Sequence, residues 1–72
     1  MLKHLSLEDL IQIARNGGSL EVDGGQFTPE NLVQIARNLT DAGKMKVDNS
    51  QRFTAADLVQ IARNGPGKVT FA

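Results

Sequence analysis

The sequence predicts an α/β fold: a two-layer stack of three helix–strand repeats, with a three-stranded parallel sheet in the order 1-2-3 and all helices on one face. Three observations predict it. The pentapeptide Gln-Ile-Ala-Arg-Asn occurs at Gln12 to Asn16, Gln34 to Asn38 and Gln60 to Asn64. Each copy is preceded by an apolar residue, a hydroxyl residue and, four positions after that hydroxyl, Leu with Ile or Val. Each copy is followed by glycine and then by a short run in which apolar and polar residues alternate.

The helices come first. Ser6, Thr28 and Thr54 are N-cap residues, whose side-chain oxygen can accept one of the N–H groups that a helix start leaves without a partner. Leu5 with Leu10, Phe27 with Leu32 and Phe53 with Leu58 have the spacing of hydrophobic staples across those caps. Pro29 falls at the first helical position, where its missing N–H costs nothing. With Leu10 at 0° on the helical wheel, Ile11, Ile13 and Ala14 fall at about 100°, 300° and 40°, and Gln12 and Arg15 fall near 200° and 140°. One face is therefore apolar and the other carries Gln and Arg. Gly17 and Gly65 follow the first and third copies directly and are read as left-handed stops. The copies are 22 residues apart (Gln12 to Gln34) and then 26 (Gln34 to Gln60). The extra residues suggest that the middle helix continues through Asn38-Leu39-Thr40-Asp41-Ala42 and runs nearly a turn longer than its neighbours.

The strands follow from alternation of period two in Ser19 to Asp23, Lys44 to Asp48 and Lys68 to Ala72. Leu20 and Val22, Met45 and Val47, and Val69 and Phe71 point to one side. A sheet that is apolar on one side takes its helices on that side. Right-handed crossovers then add each parallel strand in the same direction, which gives the order 1-2-3. The units are bounded at about 5–23, 27–48 and 53–72 within one domain, a three-turn solenoid fragment in the size class of leucine-rich repeats.

Composition narrows the function. A chain of 72 residues buries only about 60% of its unfolded surface, so its margin of stability is slim. It contains no cysteine, which removes disulfides and thiolate metal sites. Eight basic and eight acidic side chains cancel, so no overall field would gather nucleic acid or an anionic membrane. The N-terminus has no long apolar core, and the expected setting is cytoplasmic, with neither a signal peptide nor a membrane span.

Candidate chemistry is sparse. Asp23 and Asp48 should stand about 4.8 Å apart on neighbouring strands, at the carboxyl end of the sheet where α/β ligands commonly sit. They could share a cation, or each could open the turn into the next helix by accepting backbone N–H groups. Gly24-Gly25 has the look of a phosphate-binding turn, but no Gly-x-Gly-x-x-Gly or Gly-Lys-Ser/Thr phrase accompanies it, so it reads as turn chemistry. His4 has no Cys, Ser or second His to work with. Arg15, Arg37 and Arg63 could form a basic stripe on adjacent helices, but Glu8, Glu30 and Asp41 dilute it and no aromatic is interleaved to stack on bases.

The phrase Phe-Thr-x-x-Asp-Leu-Val-x-Ile-Ala-Arg-Asn-Gly, with a helix-plus-strand unit of this period, resembles small uncharacterised bacterial helix–strand repeat proteins. That resemblance covers the whole chain and implies no activity. The strand phrase Leu-x-x-Leu-x-Leu-x-x-Asn of true leucine-rich repeats is not kept, so their mode of ligand binding is not implied. The expectation is a non-catalytic protein–protein interaction module without a cofactor, of the size of an inhibitor or immunity protein. Its contact residues are Lys68, Val69, Thr70 and Phe71 on the third strand, with Lys46 and Glu21 on the polar sheet face. The partner is another protein or a second copy, giving a homodimer joined at the edge of the third strand. The alternatives are a small metal-dependent hydrolase using Asp23 and Asp48, and an artificial or consensus repeat protein with no function.

Overall fold

The computed structural model describes residues 4–72. Helix α1 spans Leu7–Arg15, strand β1 Leu20–Asp23, helix α2 Pro29–Asn38, strand β2 Met45–Asp48, a short 3-10 helix Ser50–Arg52, helix α3 Ala55–Asn64 and strand β3 Val69–Phe71. The sheet is parallel in the order β1-β2-β3. Leu20, Met45 and Val69 stand in one row across it, then Glu21, Lys46 and Thr70, then Val22, Val47 and Phe71. This register places the apolar rows on one face.

Leu10, Leu32, Ile35 and Ile61 from the helices and Leu20, Val22, Met45 and Val47 from the strands are buried in one core. Glu21, Lys46 and Thr70 remain exposed on the opposite side of the sheet. Phe27 and Phe53 are buried beside the caps they precede, at 8% and 9% exposure.

Each of the three α-helices starts with a reciprocal capping box. Ser6 Oγ accepts the Asp9 N–H, and Asp9 Oδ2 accepts the Ser6 N–H, both at 3.2 Å. Thr28 with Asn31 and Thr54 with Asp57 repeat the exchange. The helix ends explain the repeated pentapeptide. Its Asn side chain turns back and donates to the main-chain oxygen of its Gln: Asn16 to Gln12 at 2.8 Å, Asn38 to Gln34 at 2.7 Å and Asn64 to Gln60 at 2.8 Å. At each helix end the side-chain amide is thus a second donor to a carbonyl of the last turn; Gln12 O, for example, also accepts the Asn16 N–H at 3.1 Å.

Several expectations are corrected. Helix α2 does not run on to Ala42. It stops at Asn38, and Leu39 is extended (φ −64°, ψ 136°) and 7% exposed. The chain must return at once, because the Lys44 N–H donates to Ser19 Oγ (3.1 Å) and Lys44 O accepts from the Leu20 N–H (2.8 Å). A turn closed by Gly43 N–H to Thr40 O (3.1 Å) makes that return. A Cβ on Gly43 would lie 2.6 Å from Gly18 O, so the close approach of the two backbones requires glycine there.

Gly17 is a left-handed stop with φ +92°, but Gly65 is not: its φ is −137°, and Gly67 carries the positive value, +75°. Each strand is also shorter by one or two residues than its alternation suggests. Lys44 and Lys68 lie outside the strands, although their carbonyls join the ladder.

Candidate interaction surface

At the carboxyl end of the sheet, the register sets Asp23 beside Asp48. Their side chains make different contacts. Asp23 Oδ1 accepts the Gly25 N–H at 2.9 Å and Asn49 Nδ2 at 2.8 Å, so it opens its own turn and ties it to the next one. Asp48 Oδ1 lies 3.8 Å from Lys46 Nζ, while Asp48 Oδ2 is buried with no hydrogen-bond partner among the described residues. Arg52 Nη1 donates to Gly24 O at 2.9 Å, and its guanidinium lies 5.2 Å from the Phe53 ring centre.

Gly24 is part of this clasp. A Cβ there would meet Asp48 O at 2.8 Å and Phe53 Cε2 at 3.0 Å, so the glycine answers to packing between neighbouring turns. Asn49, left-handed at φ 57°, leads into the 3-10 helix. Ser50 is buried and donates through both N–H (2.9 Å) and Oγ (2.8 Å) to Ala72 O. Sequence reading missed this 3-10 helix; Asn49, a residue tolerant of the left-handed region, was the available signal. No group of three or more His, Cys, Asp or Glu that could hold a metal ion occurs among the described residues.

On the polar sheet face, Lys46 Nζ sits 3.8 Å from Glu21 Oε2 as well as from Asp48 Oδ1. His4 is exposed. On the helix side, Arg15, Arg37 and Arg63 are all exposed, but they are not equivalent. Arg15 Nε and Nη2 both reach Asn38 Oδ1, at a long 3.4 Å, bridging α1 to α2. Arg37 instead borders a groove of ≈ 350 Å³ between α2 and α3, together with Pro29, Glu30, Val33, Asp57 and Gln60. The groove has a simple cause. The positions that hold Leu7 and Ile11 in the first unit hold the smaller Pro29 and Val33 in the second.

Strand β3 lies at one edge of the sheet and pairs with β2 alone among the described strands. Met45 N–H donates to Lys68 O (2.8 Å), and Ala72 N–H donates to Val47 O (2.9 Å). Alternate residues of a ladder direct their groups to the same side. Lys68, Thr70 and Ala72 therefore face β2, and the N–H and C=O groups of Val69 and Phe71 face outward. Thr70 therefore has no outward N–H.

The opposite edge is less open. Leu20 N–H donates to Lys44 O (2.8 Å) and Gly24 N–H to Asp48 O (2.7 Å), so Glu21 and Asp23 face outward on β1. The Asp23 carbonyl is already taken by the Gln26 N–H at 3.0 Å. Just before β3, Lys68 is drawn toward the helix side. Its Nζ lies 3.4 Å from Asp41 Oδ1, in the turn after α2, and its side chain is only 23% exposed.

Burial marks the same end of the molecule. In the second unit Leu32, Val33, Ile35, Ala36, Met45 and Val47 are all buried. Of the six matching positions in the third unit, Ile61 alone is buried; Leu58, Ala62, Val69 and Phe71 are half-buried and Val59 is exposed. The chain matches no family model, and no curated protein or solved structure is significantly similar to it. No helix among the described residues is long and apolar enough to cross a membrane.

Proposed function

We propose that the chain is a non-catalytic protein–protein interaction module, which takes a partner's extended segment as a further strand along the outer edge of β3. The observation that carries this reading is the outward set of backbone groups on Val69 and Phe71, bordered by side chains that the core leaves half-covered. Main-chain groups on such an edge supply affinity, and the alternating side chains beside them supply selectivity. Val59, 54% exposed, widens the apolar margin available to a partner. Asp23 is engaged by its own turn and by Asn49, which speaks against the hydrolase alternative. The kinship with small bacterial helix–strand repeat proteins that the repeated phrase suggests is compatible with this role.

The test is a chemically synthesised chain with Phe71 N-methylated, which deletes one outward donor and keeps the side chain. A labelled peptide copying residues 67–72 should bind the parent, lose at least tenfold in affinity for the methylated chain, and keep its affinity for a chain N-methylated at Glu21. Equal binding by all three chains, or none by the parent, would overturn the reading.

A further inference from the structure

We infer that the strand added to β3 is the β3 of a second copy, running antiparallel about a two-fold axis with Thr70 facing the second copy's Thr70. This rests on the reading of β3 as a strand-accepting edge and names its partner. The register follows from the outward groups. In an antiparallel ladder, directly opposed residues whose groups point at each other exchange both N–H···O bonds. Only Val69 and Phe71 point outward, so the ladder closes when Val69 opposes the second copy's Phe71 and Phe71 opposes its Val69. Thr70 then meets its own symmetry mate as a non-hydrogen-bonded pair, in which side chains stand closest.

The side chains agree with that register. Val69 and Phe71 lie on the apolar face of the sheet and are half-buried in one copy, so each opposed pair places an aliphatic group against an aromatic ring. Thr70 is exposed on the polar face, where paired threonines are favourable neighbours. No like charges meet: Lys68 comes opposite Ala72 and is already paired with Asp41 at 3.4 Å. The two-fold keeps the helices of both copies on one side, so Leu58 and Val59 of α3 border the new pair from each copy.

The competing arrangement, β3 against β1 of the next copy, is disfavoured by the same backbone. The Asp23 carbonyl at the β1 edge already accepts from Gln26 N–H. A head-to-tail contact would also leave an open edge at each end and grow without closing. The isologous pair closes on itself.

Size-exclusion chromatography with light scattering tests the inference on three synthetic chains: the parent, the chain N-methylated at Phe71 and the chain N-methylated at Glu21. At about 100 μM, a concentration at which a specific dimer should be populated, the parent and the Glu21 variant should have the mass of two chains and the Phe71 variant the mass of one. If the parent has the mass of one chain yet binds the strand peptide, the second-copy inference fails and the strand-accepting edge survives. A dimer indifferent to methylation at Phe71 would overturn both. A mass that climbs with concentration past that of two chains would establish head-to-tail growth and overturn the two-fold register.

Discussion

Val33 and Val59 occupy the same position of successive helices, yet Val33 is 8% exposed and Val59 is 54% exposed. Both side chains lie on the flank of the helix that faces the following unit. For Val33 that unit is α3; for Val59 no further unit is present among the described residues. Val33→Asp should therefore be the more destabilising of the two, while Val59→Asp in a single copy should change stability by less than about 0.5 kcal/mol. Denaturant unfolding of the two variants checks this. Comparable losses would mean that the third helix is packed as the second is.

Leu32 is fully buried in the central helix. Leu32→Ala should lower stability by roughly 2–5 kcal/mol, close to the whole stability of a domain this small. A melting curve should show the variant largely unfolded at body temperature.

Two glycines separate crowding from conformation. A Cβ on Gly43 would meet the Gly18 carbonyl oxygen at 2.6 Å, whereas one on Gly67 would meet nothing within 4 Å but must be held at φ +75°. Gly67→Ala should cost about 1–2 kcal/mol, the left-handed penalty alone. Gly43→Ala has to move backbone and should cost more. Urea titration of both would reverse this order only if the two backbone segments were not in contact at Gly18.

Asn38 does two things where Asn64 does one: it donates to Gln34 O and accepts from Arg15. Each hydrogen bond contributes roughly 0.5–1.5 kcal/mol net. Asn38→Ala should be the more destabilising of the two, and Arg15→Ala should add little to it in a double-mutant cycle, since the two residues share one contact.

The groove beside Val33 can be filled. Val33→Ile, which restores the residue of the first unit at Ile11, should raise stability by about 0.5–2 kcal/mol, the usual gain from filling a gap. A fall in melting temperature would mean that the floor of the groove does not face open space.

The caps, the strand rows and the sheet order were legible in the sequence because each rests on local rules: a hydroxyl before a helix, a period of two, a right-handed crossover. The end of α2 was not. Asn38-Leu39-Thr40-Asp41-Ala42 has no local breaker, and what stops the helix is the demand of β1 and Ser19 for the backbone of Lys44. The left-handed turn after α3 was assigned to Gly65 by proximity to the helix, whereas Gly65 has φ −137°, in a place where a Cβ would crowd Val69 and Ala36, and the positive φ falls two residues later at Gly67. The acidic pair was placed correctly in register, but Asn49, which engages Asp23, is 26 residues away from it. Which amides of β3 face outward also depends on pairing with β2, and no pattern within Lys68 to Ala72 could supply it.

Backbone hydrogen exchange in β3, followed by NMR residue by residue, tests the central claim most directly. The Thr70 amide, bonded toward β2, should be protected at every protein concentration, while the Val69 and Phe71 amides should exchange freely in dilute solution. Raising the concentration, or adding the strand peptide, should slow exchange at Val69 and Phe71 by at least tenfold and leave the outward amide of Glu21 unchanged. Val69 and Phe71 amides that stay equally open under all these conditions would contradict the account.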